Sequence, residues 1–298
     1  MGIKTKTIMT KFVTKSVILL TFVGSILATK TQAQEKNLLK IMSTNIRYAS
    51  PNDGINIWDH RKDWLCNSIN FMDIDVLGAQ EVIDRQLNDI SNRLPKYKFV
   101  GIGRNGGKEG EYCPIFYKKE KYILLESNTF WLSKTPEKVN SKGWDAALPR
   151  IVTYVKLRDK QSGSVFYFFN THFDHKGKMA RLKSAELLTK KAKQIAGKHP
   201  YFITGDFNLT PSSQPYKILT TSNTDGYFYD TYMNTDQLYG PDYTFNGFKI
   251  EPDSNKERID YIFYRGNITI LKHHVLDGQR GSKFISDHFP IIVNAVIN

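Results

Sequence analysis

Apolar, strand-like runs in this chain repeatedly end on a carboxylate, amide or imidazole, and no other feature constrains the fold as much. Asn45 follows Leu38–Thr44, and Glu81 follows Val76–Gln80. Asn170 and His172 follow Val165–Phe169, and Asp206 and Asn208 follow Tyr201–Gly205. Strands covered on both faces need apolar side chains, whereas the carboxyl ends of strands in α/β sheets are where ligand-binding groups collect. One such ending means little. Their recurrence predicts a shared pocket built from several strand ends.

Helical patterns separate the strands. Residues 59–72 and 84–94 read as helices, and 178–196 is the clearest. There Leu182, Ala185, Leu188, Ala192 and Ile195 recur at helical spacing with lysines opposite. Further strand signals cover 97–103, 112–118, 121–132, 150–159, 164–171, 258–264, 268–276 and 290–297, with a hairpin turn at 159–163. Residues 234–257 are rich in turn formers and read as one long loop, a functional hint in a compact domain. No internal repeat is visible. The expected class is α/β, with many antiparallel strands and helices covering the sheet faces.

The first 33 residues read differently. Lys4, Lys6, Lys11 and Lys15 precede an apolar run over 16–29, and Thr31-Gln32-Ala33 offers small residues for cleavage. The run is short for a bilayer span, so we expect a cleaved signal peptide over 1–33 and one domain over 34–298. That predicts a secreted or periplasmic protein with no lasting membrane insertion; no protein partner is expected. The leader holds five lysines and no acid, leaving 42 − 5 = 37 basic against 29 acidic residues, or +8. Such a balance suits a phosphate-bearing partner. Cys66 and Cys113 form no zinc or redox pattern and are expected to be free and buried.

The strand-end residues have a coherent chemistry. Glu81 with Asn45 offers hard oxygen donors for Mg²⁺ or Mn²⁺. Asp206 and Asn208, two apart, share one side of an extended backbone; the first can hold or deprotonate a water, the second can contact a phosphoryl oxygen. His172 can stabilise charge on an attacked phosphorus, and His175 reads as pocket wall. Asp260 in Arg258-Ile-Asp260-Tyr261 would orient His288 in Ser286-Asp287-His288-Phe289-Pro290, with Asp287 facing the metal. Each motif alone has a bland alternative: an Asx turn, a capped histidine or a solvated strand end. The chain has no nucleophile elbow, P-loop or HExxH. Gly101-Ile102-Gly103-Arg104-Asn105-Gly106-Gly107 leads into no helix and is not taken as a dinucleotide site.

Taken in order, Ser43-Thr44-Asn45-Ile46-Arg47, Gln80-Glu81-Val82, Asn170-Thr171-His172, Gly205–Asn208, Arg258–Tyr261 and Ser286–Pro290 resemble the endonuclease/exonuclease/phosphatase superfamily, the deoxyribonuclease I-like group. The intervening Gly110–Tyr117, Thr129–Ser133 and Gly143–Arg150 look like a secreted bacterial branch related to the mRNA deadenylases. The resemblance implies a four-layer α/β sandwich with two central, largely antiparallel mixed sheets and one active site at the sheet edges. It also implies metal-assisted, in-line attack of water on a phosphoester. Glu81 would be the main metal ligand, aided by Asn45 and Asp287. His172, Asp206, Asn208, Asp260 and His288 would be catalytic, with Asp260–His288 either a base or an electrostatic clamp. Arg47 stands where repair nucleases carry an acid, so Arg47 and Arg150 become candidate phosphate clamps.

Three functions compete. A nuclease would stack bases on Trp58, Tyr112, Trp144 or Phe245 and draw in the backbone by charge. A phosphatase or phosphodiesterase would act on a small-molecule, lipid or sugar phosphate. A non-catalytic binding protein would not need the intact acid–imidazole set. The sequence places the nuclease or phosphodiesterase first.

Overall fold

Two β-sheets carry the site, both built from the runs that end on polar side chains. The structure, a computed structural model, describes residues 38–221, 227–250 and 256–298. The leader expected over residues 1–33 lies outside them. In chain order the strands begin with β1 (Leu38–Asn45), β2 (Val76–Gln80), β3 (Tyr97–Val100), β4 (Ile115–Lys118) and β5 (Tyr122–Trp131). There follow β6 (Ile151–Asp159), β7 (Val165–His172), β8 (Tyr201–Asp206), β9 (Tyr229–Asp230) and β10 (Leu238–Tyr239). The last are β11 (Asp260–Arg265), β12 (Ile268–Val275), β13 (Gln279–Arg280), β14 (Lys283–Phe284) and β15 (Ile291–Ile297). One sheet runs β10-β12-β15-β1-β2-β4-β3, the other β5-β6-β7-β8-β11-β9, and β13-β14 is a small hairpin. The helices are α1 (Trp58–Phe71), α2 (Asp84–Arg93), α3 (Lys178–Ala196) and α4 (Gln214–Thr220).

Consecutive strand residues point to opposite faces, and this sorts the layers. Ile41, Phe168, Phe202 and Ile262 meet in one buried cluster between the sheets. Their next neighbours face outward. Met42 packs with Leu65 and Ile69 of α1 and Ile90 of α2. Phe169, Ile203 and Phe263 pack with Ala185, Leu188 and Ala192 of α3 and Leu219 of α4. The result is the helix–sheet–sheet–helix sandwich that the resemblance implied. Burying both faces of each central strand explains why the strands read as continuous apolar runs.

The differences from expectation are local. α4 was not anticipated; it is seven residues long, with proline in its first turn. The strand expected over 112–118 starts only at Ile115, because Tyr112 makes isolated bridges to Val82 and Gly103. The loop expected over 234–257 contains the two-residue β10. Cys66 and Cys113 are buried and free. Among the described residues no helix is long and apolar enough to cross a membrane.

One buried histidine makes the fold acid-sensitive. His273 Nδ1 meets Thr231 Oγ1 at 3.0 Å, and its Nε2 lacks a partner among the described residues. Burial, then the charges of Arg258 and His274, push its pKa down to about 3. Unfolded, it titrates near 6.5. Between those values the unfolded chain binds the extra proton, so stability falls as pH drops from about 6.5 towards 3, by about 1.4 kcal/mol per unit. The urea midpoint should therefore drop less between pH 7 and pH 5 in His273→Gln than in the parent. Equal drops would contradict this account.

Candidate active site

Register brings the catalytic candidates together. In the second sheet β7 and β8 run parallel with His172 opposite Asp206, and β11 runs antiparallel with Asp260 opposite Asp206. Asp206 is thus flanked by both. In the first sheet β1 and β2 run parallel and end side by side at Asn45 and Gln80. The sheets approach closely at this end. A Cβ on Gly78 would lie 2.0 Å from Thr204 Oγ1, so only glycine fits there. Gln80 Nε2 donates to Asn170 Oδ1 at 2.6 Å, and Asn170 Nδ2 donates to the carbonyls of Ala79 and Pro114. These buried amides tie the strand before Glu81 to the strand before His172.

The site-bearing turns are strained. Arg47, Glu81 and Asn208 all have left-handed backbones, with φ of 57°, 60° and 50°. L-residues adopt that region at some cost, and such residues gather at functional sites. Each turn projects its side chain off the strand end into a cavity of about 440 Å³. Glu81, His172, Asp206, Asn208, Asp287 and His288 line it, as do Arg47, Arg150 and His175. Asn45 and Asp260 lie beneath it and act through its walls. Buried Arg61 holds the turns from behind, donating to the carbonyls of Ile46, Asn56 and Ile285.

The hydrogen bonds assign distinct tasks. Asn45 Nδ2 donates to Glu81 Oε1 and to Asp206 Oδ2, both at 3.0 Å, while its Oδ1 accepts the Arg47 N–H. As placed, Asn45 turns its nitrogen to the carboxylates and its oxygen away. It orients two acids, and its expected role as an oxygen donor to metal is corrected accordingly. Asp206 also accepts from the Asn208 backbone N–H. Burial and the neighbouring charge of Asp260 raise the Asp206 pKa to about 7. His288 Nδ1 sits 2.8 Å from Asp260 Oδ2. Burial would lower its pKa, but the charges of Asp260 and Asp206 overcome this and raise it well above the ordinary histidine value. His172 behaves oppositely: burial and then the charge of Arg150 hold it well below that value. Its Nε2 accepts from Asn208 Nδ2 at 3.1 Å, which leaves the proton on Nδ1.

Other expectations need correction. Trp58 and Tyr112 do not face the cavity. Trp58 is 1% exposed at the start of α1, with its indole N–H on Asp89. Tyr112 is 3% exposed and donates to Asp84. Both are core residues, and neither can stack on a substrate. Arg47 lines the cavity, but its fork is taken by Asp53, through Nε at 3.2 Å and Nη2 at 3.1 Å. Asp287 accepts from Ser286 Oγ and lies 3.8 Å from Arg47 Nε, outside the cluster of potential ligand atoms. Arg150 lies between Asp174 and His175, with Nε 3.3 Å from the carboxylate and Nη2 3.0 Å from the imidazole. Trp144 is absent from the cavity wall, whereas Phe245 is 40% exposed there, its ring 5.0 Å from that of His288.

Glu111 was missed. It lines the cavity 4.0 Å from the otherwise unpartnered His172 Nδ1, and Arg104 holds it at 2.8 Å. Burial raises its pKa despite Arg104. It follows a glycine-rich turn instead of a strand, so the strand-end pattern passed over it. The oppositely charged Arg104 and Glu111 flanking that turn were the available signal.

The donor set fits a hard divalent cation. Glu81, His172 and Asp206 offer ligand atoms within 4.8 Å of one another, as do Asp206, Asp260 and His288. Carboxylate oxygens predominate, which suits Mg²⁺ or Mn²⁺ over softer metals. The raised Asp206 pKa points the same way: buried negative charge is crowded there, and a cation would relieve it.

Comparison with known proteins agrees with this geometry. The sequence pattern of the Endonuclease/Exonuclease/phosphatase family matches residues 30–288. A Bacteroides vulgatus endonuclease/exonuclease/phosphatase structure is 39% identical, covering 88% of this chain and 99% of that one, with a TM-score of 0.84. A mannosyl-6-phosphatase from Bacteroides thetaiotaomicron is 36% identical over 87% of this chain and 99% of its own, with a TM-score of 0.81. Nocturnin from Drosophila melanogaster is 24% identical over 79% of this chain, which spans only 41% of that longer protein.

Proposed function

The chain belongs to the endonuclease/exonuclease/phosphatase family of metal-dependent phosphoester hydrolases, and on that premise we propose that it removes phosphate from a sugar-sized phosphomonoester outside the cytoplasm. The cavity carries this reading. About 440 Å³ lies in the range of small-molecule sites, and its walls supply Arg150, His172, His175 and His288 around the carboxylates. Likeness to a mannosyl-6-phosphatase along nearly the whole chain supports it. The buried positions of Trp58 and Tyr112 remove two aromatics on which the nuclease reading relied. The export component rests on the basic and apolar leader over 1–33.

The residues divide the work as follows. Glu81 and Asp206 would hold the Mg²⁺ or Mn²⁺, with His172 beside them. The cation supplies charge neutralisation at the phosphoryl group and lowers the pKa of water. Arg150 attracts the phosphate dianion. Asp206 and the His288–Asp260 pair manage the proton of the attacking water. Asn208 fixes the His172 ring and can release its amide to a phosphoryl oxygen. Glu111 stands 4.0 Å from the Nδ1 side of that ring and supplies negative charge there.

A substrate panel tests the reading. With Mg²⁺ or Mn²⁺, kcat/KM on mannose 6-phosphate should exceed that on bis-p-nitrophenyl phosphate, DNA or RNA by at least about tenfold, a difference of roughly 1.4 kcal/mol. Chelation by EDTA should abolish turnover. Full activity in EDTA would sink the metal assignment, and a preference for DNA or RNA would sink the phosphatase one. The nuclease remains the second reading because Phe245 stands exposed beside His288, where a base could stack.

A further inference from the structure

A second cavity, of about 570 Å³, lies outside the catalytic pocket. One wall is the outer face of α3, where Lys183, Lys190, Lys191 and Gln194 recur at helical spacing. The facing loop brings Lys134 and the half-exposed Trp144. Two of the lysines are neutralised: Lys183 pairs with Glu186 at 2.8 Å and Lys191 with Glu137 at 2.6 Å. Lys134 and Lys190 have no carboxylate partner among the described residues, so the groove keeps a positive surplus.

Trp144 is held in place from both sides. Its backbone is left-handed, with φ 51°. Such strain in a bulky residue persists only where the surroundings enforce it. On one side, a Cβ on Gly143 would lie 2.3 Å from the Leu132 carbonyl oxygen, so only glycine permits that approach. On the other, Asp145 accepts the backbone N–H groups of Met179 and Ala180 and clamps the loop to the start of α3. The backbone that presents the ring is thus fixed, the ring itself is half-buried, and among the described residues no hydrogen bond engages its indole N–H.

The groove also lies close to the chemistry. Leu148, which lines the catalytic cavity, is four residues from Trp144, and four residues span at most about 14 Å. A chain of a few linked units with one end in the catalytic cavity would reach the ring. We propose that this groove binds the body of a phosphorylated glycan, with Trp144 stacking on a sugar ring and Lys134 and Lys190 meeting further phosphates. This rests on the phosphatase reading above and extends it from a free sugar phosphate to a phosphate on a polymer. A positively charged groove with one fixed aromatic could also track a nucleic acid backbone, and the test separates the two.

Mannose 6-phosphate and a 6-phosphorylated mannan are compared as substrates of the parent, Trp144→Ala and Lys134→Ala/Lys190→Ala. The double variant changes two exposed side chains, Lys190 on α3 and Lys134 in the loop, and leaves the 143–145 segment that carries Trp144 intact, so it guards against misfolding of the first. On the mannan, kcat/KM should fall about tenfold in each variant, the loss expected for one well-packed aromatic anchor or a pair of charge contacts. On mannose 6-phosphate it should stay within twofold. Binding to the same mannan, measured in EDTA so that no turnover occurs, should weaken in parallel and fall with added salt. Unchanged mannan kinetics and binding would overturn the proposal, as would equal losses on both substrates. If the parent ignores mannose 6-phosphate but its groove still binds the mannan in EDTA, the phosphatase reading fails and the groove assignment stands. If the variants instead lose single-stranded RNA or DNA binding, the glycan assignment is overturned.

Discussion

Asp206→Asn should lower kcat by at least about three orders of magnitude and, in EDTA, raise the melting temperature. The two effects share a cause. Asp206 is buried between Asp260 and His172, opposite both in the sheet register. Burial and the charge of Asp260 raise its pKa to about 7, with Glu81 adding to the repulsion. Its folded pKa thus lies above the unfolded value near 3.9. Between the two, the folded state binds the extra proton, so stability is lost as pH rises from about 4 towards 7. Asparagine keeps the shape, and its Oδ1 can still accept the Asn208 N–H that Asp206 now receives at 3.0 Å. What it removes is charge, together with the Oδ2 acceptor that Asn45 Nδ2 uses, while Asn45 keeps Glu81 Oε1 as its other acceptor. At pH 7.5 in EDTA the variant should melt at least about 2 °C higher, equivalent to roughly 1 kcal/mol for a domain of this size. Added Mg²⁺ should stabilise the parent and do little for the variant, because only the parent gains relief from crowded carboxylates. Equal Mg²⁺-dependent shifts in both proteins would remove Asp206 from the cation site, and a lower melting temperature in EDTA would contradict the crowding argument. Stability sacrificed for function is expected of a charge cluster assembled for catalysis.

Much of this arrangement was legible in the chain because strand burial writes itself into sequence. Phe168-Phe169, Phe202-Ile203 and Ile262-Phe263 read as continuous apolar runs because one residue of each pair enters the core between the sheets and the other the helix-facing core. The polar residue closing such a run then stands out. That is how Glu81, His172 and Asp206 could be picked before any contact was known. α3 was legible over 178–196 because its apolar stripe persists for five turns, whereas seven-residue α4 is too short to show a period. Side-chain direction was not legible. Trp58 and Tyr112 have the composition of stacking residues, but α1 docking and the bridge to Val82 draw them inward. Asn45 was correctly placed at the site, yet which end of its amide faces the acids depends on the Arg47 N–H, a backbone group without sequence identity. Pairing partners were also hidden. Nothing in the order of residues says that Arg47 would be taken by Asp53, or that Gly78 would leave room for Thr204 from the other sheet.

Asp260→Asn should reduce kcat by about 10²–10⁴ and shift the pH profile in a direction that identifies the role of His288. Asp260 Oδ2 sits 2.8 Å from His288 Nδ1, and its other oxygen has no partner among the described residues. An asparagine can offer oxygen to the ring or turn its amide to it. In either orientation the negative charge is gone. That charge, with that of Asp206, is what keeps the buried His288 protonated against the cost of burial. The His288 pKa must therefore fall in the variant. If His288 takes the proton from water, it must be neutral to act, and parent activity rises as pH passes its elevated pKa. The acidic limb of kcat should then move to lower pH in Asp260→Asn. If it acts instead as a fixed positive charge beside the phosphoryl group, activity is lost as pH rises through that pKa. The alkaline limb should then move to lower pH. Both limbs can be read from one kcat profile between pH 5 and 10 at saturating Mg²⁺ and substrate. A variant within tenfold of the parent, with neither limb displaced, would show that Asp260 does not act through His288. In the parent, His288 and His172 both approach Asp206 Oδ2, at 3.8 and 3.5 Å, with their pKa values shifted in opposite directions, that of His288 up and that of His172 down. One fold thus biases two imidazoles towards opposite protonation states, as a reaction that both attracts an anion and accepts a proton requires.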